Sequence, residues 1–423
     1  MIKPHVAVLD EELCFPLTSG KRIRTYHLLS HLSNDFRITY IAHQNPKQEE
    51  QLSAVQQLKS IGIEPMLVHR RIPPKSGLRF YFRLARNLFE KNPYSVVSHT
   101  SSEFEHSIRE LARNDPPQLW HFEWTPYGVY LQACRNAADR CSLVVAHNVE
   151  SLIWKRYHLQ EKNLLKKWYI QQQYKKFHRF EESLYQQIEQ TVAVSEADAM
   201  IIRSQFHGQN VSVVENGVAI EYFTSEYFTN YPKADFQRQE NTLLFLGSLD
   251  WRPNLDGLNW FIDNIWPIVQ KLMPSIKLWI VGRSPPNWLI DRCQNQPGLE
   301  LHADVVDVRP YLYQTGQLIV PLRIGGGSRL KILEAAICGT PIVSTTIGAE
   351  GLRLKKDHDY LQADTEEEFA RAIVHTLSNK PETATRIENA KSITMQFYDW
   401  KMLAQQLKST WHQLILSKNI STQ

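Results

Sequence analysis

Residues 317–345 read "QLIVPLRIGGGSRLKILEAAICGTPIVST". The first six residues form an apolar run of strand length, and "RIGGGS" after them is a loop. "RLKILEAAICG" is a helix, stopped by Gly339 just past its end and Pro341 beyond. "TPIVST" is a second strand. The order strand, glycine loop, helix, strand goes with a parallel sheet. It also leaves unpaired N–H groups and the positive end of the helix dipole facing whatever enters the loop. Gly325, Gly326 and Gly327 let a ligand come close to the backbone, and Ser328, Arg329 and Lys331 add polarity and charge. A phosphate or diphosphate fits such a place. Glu334 lies about a turn and a half into the helix, where a carboxylate accepts hydrogen bonds from a ribose diol. The stretch is neither a Walker A loop nor G-x-G-x-x-G.

The same alternation extends in both directions. "HVAVLD", "RITYIAH", "PMLVH", "QLWHFEW", "SLVVAHN", "TVAVS" and "VSVVENG" are strands in the first half. "TLLFLG", "KLWIVG" and "LELHA" precede the opening stretch in the second. Most are apolar throughout, as strands covered on both faces are. With 423 residues, two domains are expected. "EYFTSEYFTNYPKADFQRQE" at 221–240 has no clear period and reads as their connection. The fold class expected is α/β, with two Rossmann-like doubly wound domains. One spans 1–218 and takes in a C-terminal helix, about 397–423, that crosses back; the other spans 219–396. The interdomain cleft is then the default ligand site.

Composition narrows the class further. A formal net charge of +4 is small for this length and does not suggest nucleic acid. The five cysteines are scattered, with no C-x-x-C pair, which fits a reducing compartment and argues against a disulfide framework or a structural zinc site. "MIKPHVAVLDEEL" lacks a signal-peptide core, and no run approaches the ~18 apolar residues of a membrane span. The expectation is a cytoplasmic protein, with peripheral attachment at the inner face of a membrane left open.

"PLRIGGGSRLKILEAAICGTPIVSTTIGAEGL" resembles the donor-binding segment of retaining glycosyltransferases of family 4, which have the GT-B fold. Glu334 matches the second glutamate of the family's E-x7-E motif, which binds the ribose of a nucleotide-sugar. The first glutamate falls at Gly326, as in the family's glycine-rich variant. "FPLTSGKRIRTYHLLSHL" resembles the family's N-terminal loop, with Ser19 for its first glycine and Gly20 matching the second. His147 in "VVAHNVES" matches the histidine near the donor sugar. "LFLGSLDWRPNLDGLNWF" matches the opening of the second domain, with Ser248 and Asn254 where most relatives carry arginine and lysine.

The resemblance implies a hexosyltransferase that uses a nucleotide-sugar, UDP- or GDP-linked, and a glycan or lipid-linked hydroxyl acceptor, with retention, in surface polysaccharide or glycolipid synthesis. It implies no cofactor and no metal. Glu334 would hold the ribose. Gly325–Ser328, Arg329 and Lys331 would hold the diphosphate, with Ser248 and Arg252 as further donor-side candidates. Gly20 would close on the phosphates, and His147 would act on the sugar. Two other readings stand beside it: a non-catalytic nucleotide-sugar-binding or scaffold protein, motivated by Gly326, and a nucleotide-sugar epimerase.

Three lesser signals remain. "DHD" at 357–359 has the shape of a metal-binding D-x-D but sits in a late loop. His302, Asp304 and Asp307 read better as a loop and helix start than as metal ligands, and by resemblance the backbone near Val305 and Val306 faces the base. Residues 154–180 are basic with interleaved aromatics; they fit either an anionic membrane surface or an amphipathic helix packed on the first domain.

Overall fold

The apolar runs become parallel strands in a computed structural model that describes residues 3–69, 72–74, 76–224, 237–324 and 329–421. The chain forms two compact units, 1–215 with 401–423, and 216–400.

In the first unit the chain runs β1 (His5–Leu9), α1 (Gly20–Leu32), β2 (Arg37–His43), α2 (Gln48–Ser60), β3 (Ile63–Val68), α3 (Leu78–Asn87), α4 (Tyr94–His99) and α5 (Ser102–Asn114). It continues through β4 (Leu119–Phe122), α6 (Leu131–Ala137), β5 (Cys141–Ala146), α7 (Glu150–Gln160), α8 (Leu164–Gln187), β6 (Gln190–Ala193), α9 (Glu196–Gln205) and β7 (Val211–Val213). The strands are all parallel, in the order β3-β2-β1-β4-β5-β6-β7. Every residue of β1, β4 and β5 is buried, as their composition requires.

The second unit begins with α10 (Ile220–Thr224) and β8 (Gln239–Leu246). Next come α11 (Arg252–Trp260), α12 (Trp266–Leu272), β9 (Lys277–Gly282), α13 (Asn287–Asn295), β10 (Leu299–Ala303), α14 (Arg309–Gln314) and β11 (Thr315–Val320). The opening stretch supplies α15 (Leu330–Ile337) and β12 (Ile342–Ser344); β13 (Leu361–Gln362), α16 (Glu366–Ser378) and α17 (Lys380–Phe397) complete the unit. Its parallel order is β10-β9-β8-β11-β12-β13. Each sheet reverses direction of winding once, between β1 and β4 and between β8 and β11. At such a switch point the neighbouring loops part and leave a crevice at the strand C-termini.

The expected C-terminal helix is present as α18 (Trp400–Ser421) and packs Leu403, Leu407 and Trp411 into the first unit. It is separated from α17 by Tyr398 and Asp399, which leave the helical path: the Val218 N–H donates to the Tyr398 carbonyl at 2.8 Å, and Val218 bridges Asp399. The loop holding "DHD" also contains β13, two residues long and too short to leave a periodic signal. Residues 225–236 of the expected connection lie outside the described residues.

Candidate functional site

In the second unit, chemistry gathers where β8, β9 and β11 end. β8 runs into Gly247 and Ser248, and Gly282 closes β9. A Cβ on Gly282 would sit 2.0 Å from the Gly247 carbonyl oxygen, so the two strand ends touch backbone to backbone. A Cβ on Gly247 would meet the Lys331 Nζ at 2.7 Å and the Asn254 Nδ2 at 2.8 Å. Asn254, buried near the start of α11, donates to the Ser248 carbonyl at 2.9 Å and accepts from Lys331 at 3.3 Å. The Lys331 ammonium also lies 5.2 Å from the Phe245 ring centroid. Arg283, one residue past β9, donates to the Ser248 Oγ at 3.1 Å. Arg252 stands exposed at the first position of α11.

Arg329 precedes α15 as its N-cap residue, and Lys331 and Glu334 follow on its first turns. Glu334 makes no side-chain hydrogen bond among the described residues. Burial pushes its carboxyl up to about 7, with Lys331 pulling the other way. Burial and then Arg329 bring the Lys331 ammonium down to about 7, against Glu334. An acid and a base are thus both held at the edge of losing their charge, as they would be in a site whose charges are completed by a ligand. Tyr222 of α10 lies within reach of this field. Burial, Asp307 and Glu334 raise its hydroxyl, and Arg309 opposes them. The Arg309 guanidinium stacks 3.8 Å over the Tyr222 ring and pairs with Asp307 at 2.7 Å. Gly325, Gly326, Gly327 and Ser328, the residues named for the phosphates, lie outside the described residues.

The signals weighed for metal are dispersed. Asp307 pairs with Arg309, Asp304 accepts from the Ser284 N–H at 3.0 Å, and His302 packs against Trp279 and Tyr311. Asp359 is buried between His358, at 2.5 Å, and the Lys355 N–H, at 2.7 Å. Among the described residues no three His, Cys, Asp or Glu side chains gather in a metal-holding group. Val306 is fully exposed, while Val305 rests on the core.

In the first unit, the cations of "GKRIR" are largely taken up within the fold. Lys21 pairs with Asp10 at 2.5 Å and Glu11 at 2.9 Å. Arg22 pairs with Glu12, and the buried Arg24 donates to the Glu215 carbonyl at 2.6 Å. Burial works against the Lys21 ammonium, but the two carboxylates outweigh it and raise its pKa. Gly20 opens α1 behind Ser19, whose Oγ accepts the Arg22 N–H at 3.3 Å. At this helix end the backbone N–H groups, more than the side chains, remain for a ligand.

His147 follows β5, half-buried. Its Nε2 meets the Glu123 Oε1 at 3.0 Å. Thr25 donates to the same oxygen at 2.8 Å, and the His121 Nε2 meets the Glu123 Oε2 at 2.7 Å. The Trp411 indole of α18 donates to the His121 Nδ1 at 3.2 Å. An indole N–H only donates, so the His121 Nδ1 bears a lone pair and its Nε2 carries the proton given to Glu123. Burial pushes the Glu123 carboxyl up, yet the hydrogen bonds from His121 and His147 outweigh it and hold it well below its usual range. The charged Glu123 then fixes the His147 proton on Nε2 and leaves a lone pair on Nδ1, which makes no hydrogen bond among the described residues. Burial lowers the His147 pKa despite Glu123, so the ring is neutral at physiological pH. The Glu181 carboxyl group, pushed up to about 8 by burial, accepts the N–H groups of Glu150 and Ser151 at 2.7 and 3.0 Å, tying down the chain just after His147.

Sequence reasoning missed Glu123, His121, Thr25 and Trp411, together with Arg283, Tyr222 and Arg309. One signal was present: "HFEW" places His121 and Glu123 on one face of an otherwise apolar strand.

Residues 240–379 match the family model for group 1 glycosyl transferases. An uncharacterized 44.6 kDa protein in the cps region of Klebsiella pneumoniae is 29% identical over 174 residues, 39% of this chain and 45% of that one. One subunit of human phosphatidylinositol N-acetylglucosaminyltransferase is 22% identical over 229 residues, 52% and 44% of the two chains. The chain spans about half the length of the curated relatives it matches. Among solved structures, a sucrose-phosphate synthase from Thermosynechococcus elongatus superposes with a TM-score of 0.73 at 14% identity, covering 98% of this chain and all of that one. Anabaena HepE, solved with UDP-glucose, gives 0.68 at 13%, covering 97% and 100%. The fold is therefore GT-B: two Rossmann-like units with a C-terminal helix.

Proposed function

We propose that this chain is a glycosyltransferase of the retaining family 4 type, moving a hexose from a nucleotide-sugar to a hydroxyl of a glycan acceptor. The observation that carries this reading is the Lys331–Glu334 pair on the helix start beside the β8/β11 switch point, within the segment that matches group 1 glycosyl transferases. A diphosphate supplies the negative charge that would restore the Lys331 ammonium, with Arg329 beside it. A ribose diol supplies donors for the Glu334 carboxylate. Ser248, Arg252 and the glycine loop at 325–328 complete the donor side in this reading. UDP is favoured as the nucleotide because HepE was solved with UDP-glucose; GDP is the alternative.

In the first unit, His147 presents the Nδ1 lone pair to a hydroxyl of the donor sugar and steadies the positive charge that develops at its anomeric carbon. Gly20 and its neighbours offer backbone N–H groups to the phosphates. The bond from the anomeric carbon to the diphosphate oxygen breaks as the acceptor oxygen bonds to the same face. The acceptor proton passes to the leaving diphosphate. No metal is required in this scheme, because Lys331, Arg329 and the helix end carry the charge. A lipid-linked glycan in surface polysaccharide or glycolipid assembly is the acceptor class proposed.

The test is a thermal-shift and calorimetric series with UDP-, GDP- and ADP-sugars, on the native chain and on Glu334→Ala. A nucleotide-sugar should stabilise the native chain, be slowly hydrolysed by it, and bind Glu334→Ala more weakly. Binding without any turnover would move the assignment to a non-catalytic nucleotide-sugar-binding protein. Conversion of the donor's sugar without acceptor would move it to an epimerase.

A further inference from the structure

The chain leaving β8 stays joined to the chain leaving β9 beyond the end of the sheet. The Gly247 N–H donates to the Val281 carbonyl at 3.0 Å, and the Leu249 N–H donates to the Arg283 carbonyl at 2.9 Å. Ser248 and Arg283 are thereby set side by side at the C-terminal edge, where the switch point opens. The Arg283 Nε donates to the Ser248 Oγ at 3.1 Å. Its two Nη groups make no hydrogen bond among the described residues. Asp250 stands 4.0 Å from one of them, and both side chains of this pair are largely exposed. An ion pair of that length in water contributes little. Since the backbone already ties the two strand ends together, Arg283 is not needed to hold them.

Other arginines at this end of the sheet are spent. Arg323 gives two hydrogen bonds to Asp256, at 2.8 and 3.1 Å. Arg309 pairs with Asp307 and donates to the Tyr222 carbonyl at 2.9 Å. Arg283 instead has its plane fixed through Nε and keeps the Nη fork that grips two oxygens of one anion. Ser248 is prepared in the same way. Its carbonyl is taken by Asn254, and its Oγ accepts from Arg283, so its own hydroxyl proton remains to be given. The next residue back, Gly247, has the Lys331 ammonium against it. Two neighbouring residues of one loop thus each have a cation beside them, supplied by two other elements. Neighbouring Cα atoms are about 3.8 Å apart, the scale of two linked phosphates.

We propose that Arg283 is a donor-binding residue that makes this site select a diphosphate over a monophosphate. The inference rests on the nucleotide-sugar reading above and adds to it a residue from outside the glycine loop and its helix. Lys331 and Glu334 are three positions apart on α15 and so share a face. With the ribose on Glu334, the phosphate next to the ribose falls to Lys331. The outer phosphate then falls to the Arg283 fork and the Ser248 hydroxyl. The outer phosphate is the one the sugar leaves, so Arg283 also meets the charge that develops there.

The test is calorimetry with uridine, UMP and UDP, or the guanosine series if that binds more tightly, on the native chain, Arg283→Gln, Arg283→Lys and Arg292→Gln. Arg283→Gln should lose roughly tenfold or more in affinity for the diphosphate, while the monophosphate and the nucleoside bind as before. Arg283→Lys keeps the charge without the fork and should recover part of the diphosphate preference. Arg292→Gln, which removes a cation paired with Asp263 on the same unit, should match the native chain. The melting temperature of ligand-free Arg283→Gln should equal the native value. An unchanged ratio of diphosphate to monophosphate affinity in Arg283→Gln would overturn the proposal and leave the nucleotide-sugar reading standing. Equal losses for all three ligands together with a lowered melting temperature would also overturn it, since Arg283 would then be a structural tie. A native chain that binds neither UDP nor GDP would remove the nucleotide-sugar reading, and this proposal with it.

Discussion

Replacing Glu123 by glutamine exchanges one carboxylate oxygen for an NH2 group and should reverse the proton position on a ring 3.0 Å away. The Trp411 indole holds the His121 Nδ1 as an acceptor, so His121 must offer its Nε2–H inward. The introduced amide meets that proton with its carbonyl and turns its NH2 toward Thr25 and His147. Thr25 adapts, because its single proton can go wholly to the Lys21 carbonyl, 2.9 Å away. His147 cannot: its Nε2 must now accept, and the proton moves to Nδ1. The lone pair offered to the sugar becomes a donor. Keeping the native tautomer would set the His121 Nδ1–H against the indole N–H, losing a hydrogen bond and leaving two buried donors face to face, at a cost of about 1–3 kcal/mol. That corresponds to roughly 5- to 150-fold in kcat/KM if the native tautomer is the active one.

A second substitution separates this account from a generic loss. Trp411→Phe removes the indole donor and frees His121 to take either tautomer. The amide can then turn its NH2 to His121 and its carbonyl to His147, restoring the native proton position in part of the molecules. Glu123→Gln with Trp411→Phe should therefore be faster than Glu123→Gln alone, approaching Trp411→Phe. Nucleotide-sugar hydrolysis measures the rates, imidazole 15N shifts report which His147 nitrogen is protonated, and melting curves confirm folding. Because burial lowers the His147 pKa, the acid limb of the native pH profile should lie below the ordinary histidine value of about 6.5. Losing Glu123, which raises that pKa, should move the limb lower still. A double variant as slow as the product of the two single losses, with an unchanged tautomer in Glu123→Gln, would refute the reasoning.

Glu334→Ala should weaken UDP or GDP binding by about 1.5–3 kcal/mol in calorimetry, the worth of hydrogen bonds to a charged group; unchanged affinity would remove the ribose assignment. Lys331→Met should raise the melting temperature of the ligand-free protein while abolishing its stabilisation by nucleotide. The ammonium's folded pKa is lowered, so its cost to stability is absent above about pH 10.5, grows as pH falls, and is complete below about 7. Discounted for partial exposure, the gain should be about 1–2 kcal/mol near neutral pH. Gly282→Ala should lower stability by about 1–3 kcal/mol, because the new methyl group meets backbone at 2.0 Å, as thermal or urea unfolding would show. Chelation with EDTA should leave transfer intact, and strict metal dependence in the assay would reject the metal-free scheme.

The fold was legible because its strands are buried on both faces. A run such as "SLVVAHN" or "KLWIVG" has no other stable place, and helices between such runs oblige the sheet to be parallel. What failed was local and short. β13 has two residues and no period. The break at Tyr398–Asp399 carries neither proline nor glycine; it depends on pairing with Val218, about 180 residues away in sequence. α3 is hard to place from sequence because "LRFYFRLARN" interleaves six apolar side chains with three arginines, and only the observed exposure shows that the apolar side faces out.

The candidate residues of the two units divide along the same line. Glu334, Lys331 and Arg329 could be singled out because one loop and one helix carry them, and neighbours in sequence are neighbours in space. The His147 network could not, because its members come from α1, β4, the end of β5 and α18, up to 386 positions apart from Thr25 to Trp411. No spacing rule links them; the parallel register does. β4 lies between β1 and β5, so a carboxylate just past the end of β4 is placed to meet both α1 and the residue after β5. A glutamate there has to be buried and is stable as a charge only if its neighbours donate to it. Thr25, His121 and His147 do so, and the indole of Trp411 determines which way the donation runs. The switch points of the two sheets, each in its own unit, thus carry two kinds of candidate residue: those borne by one loop, which a sequence displays, and those assembled across strands, which only the sheet order brings together.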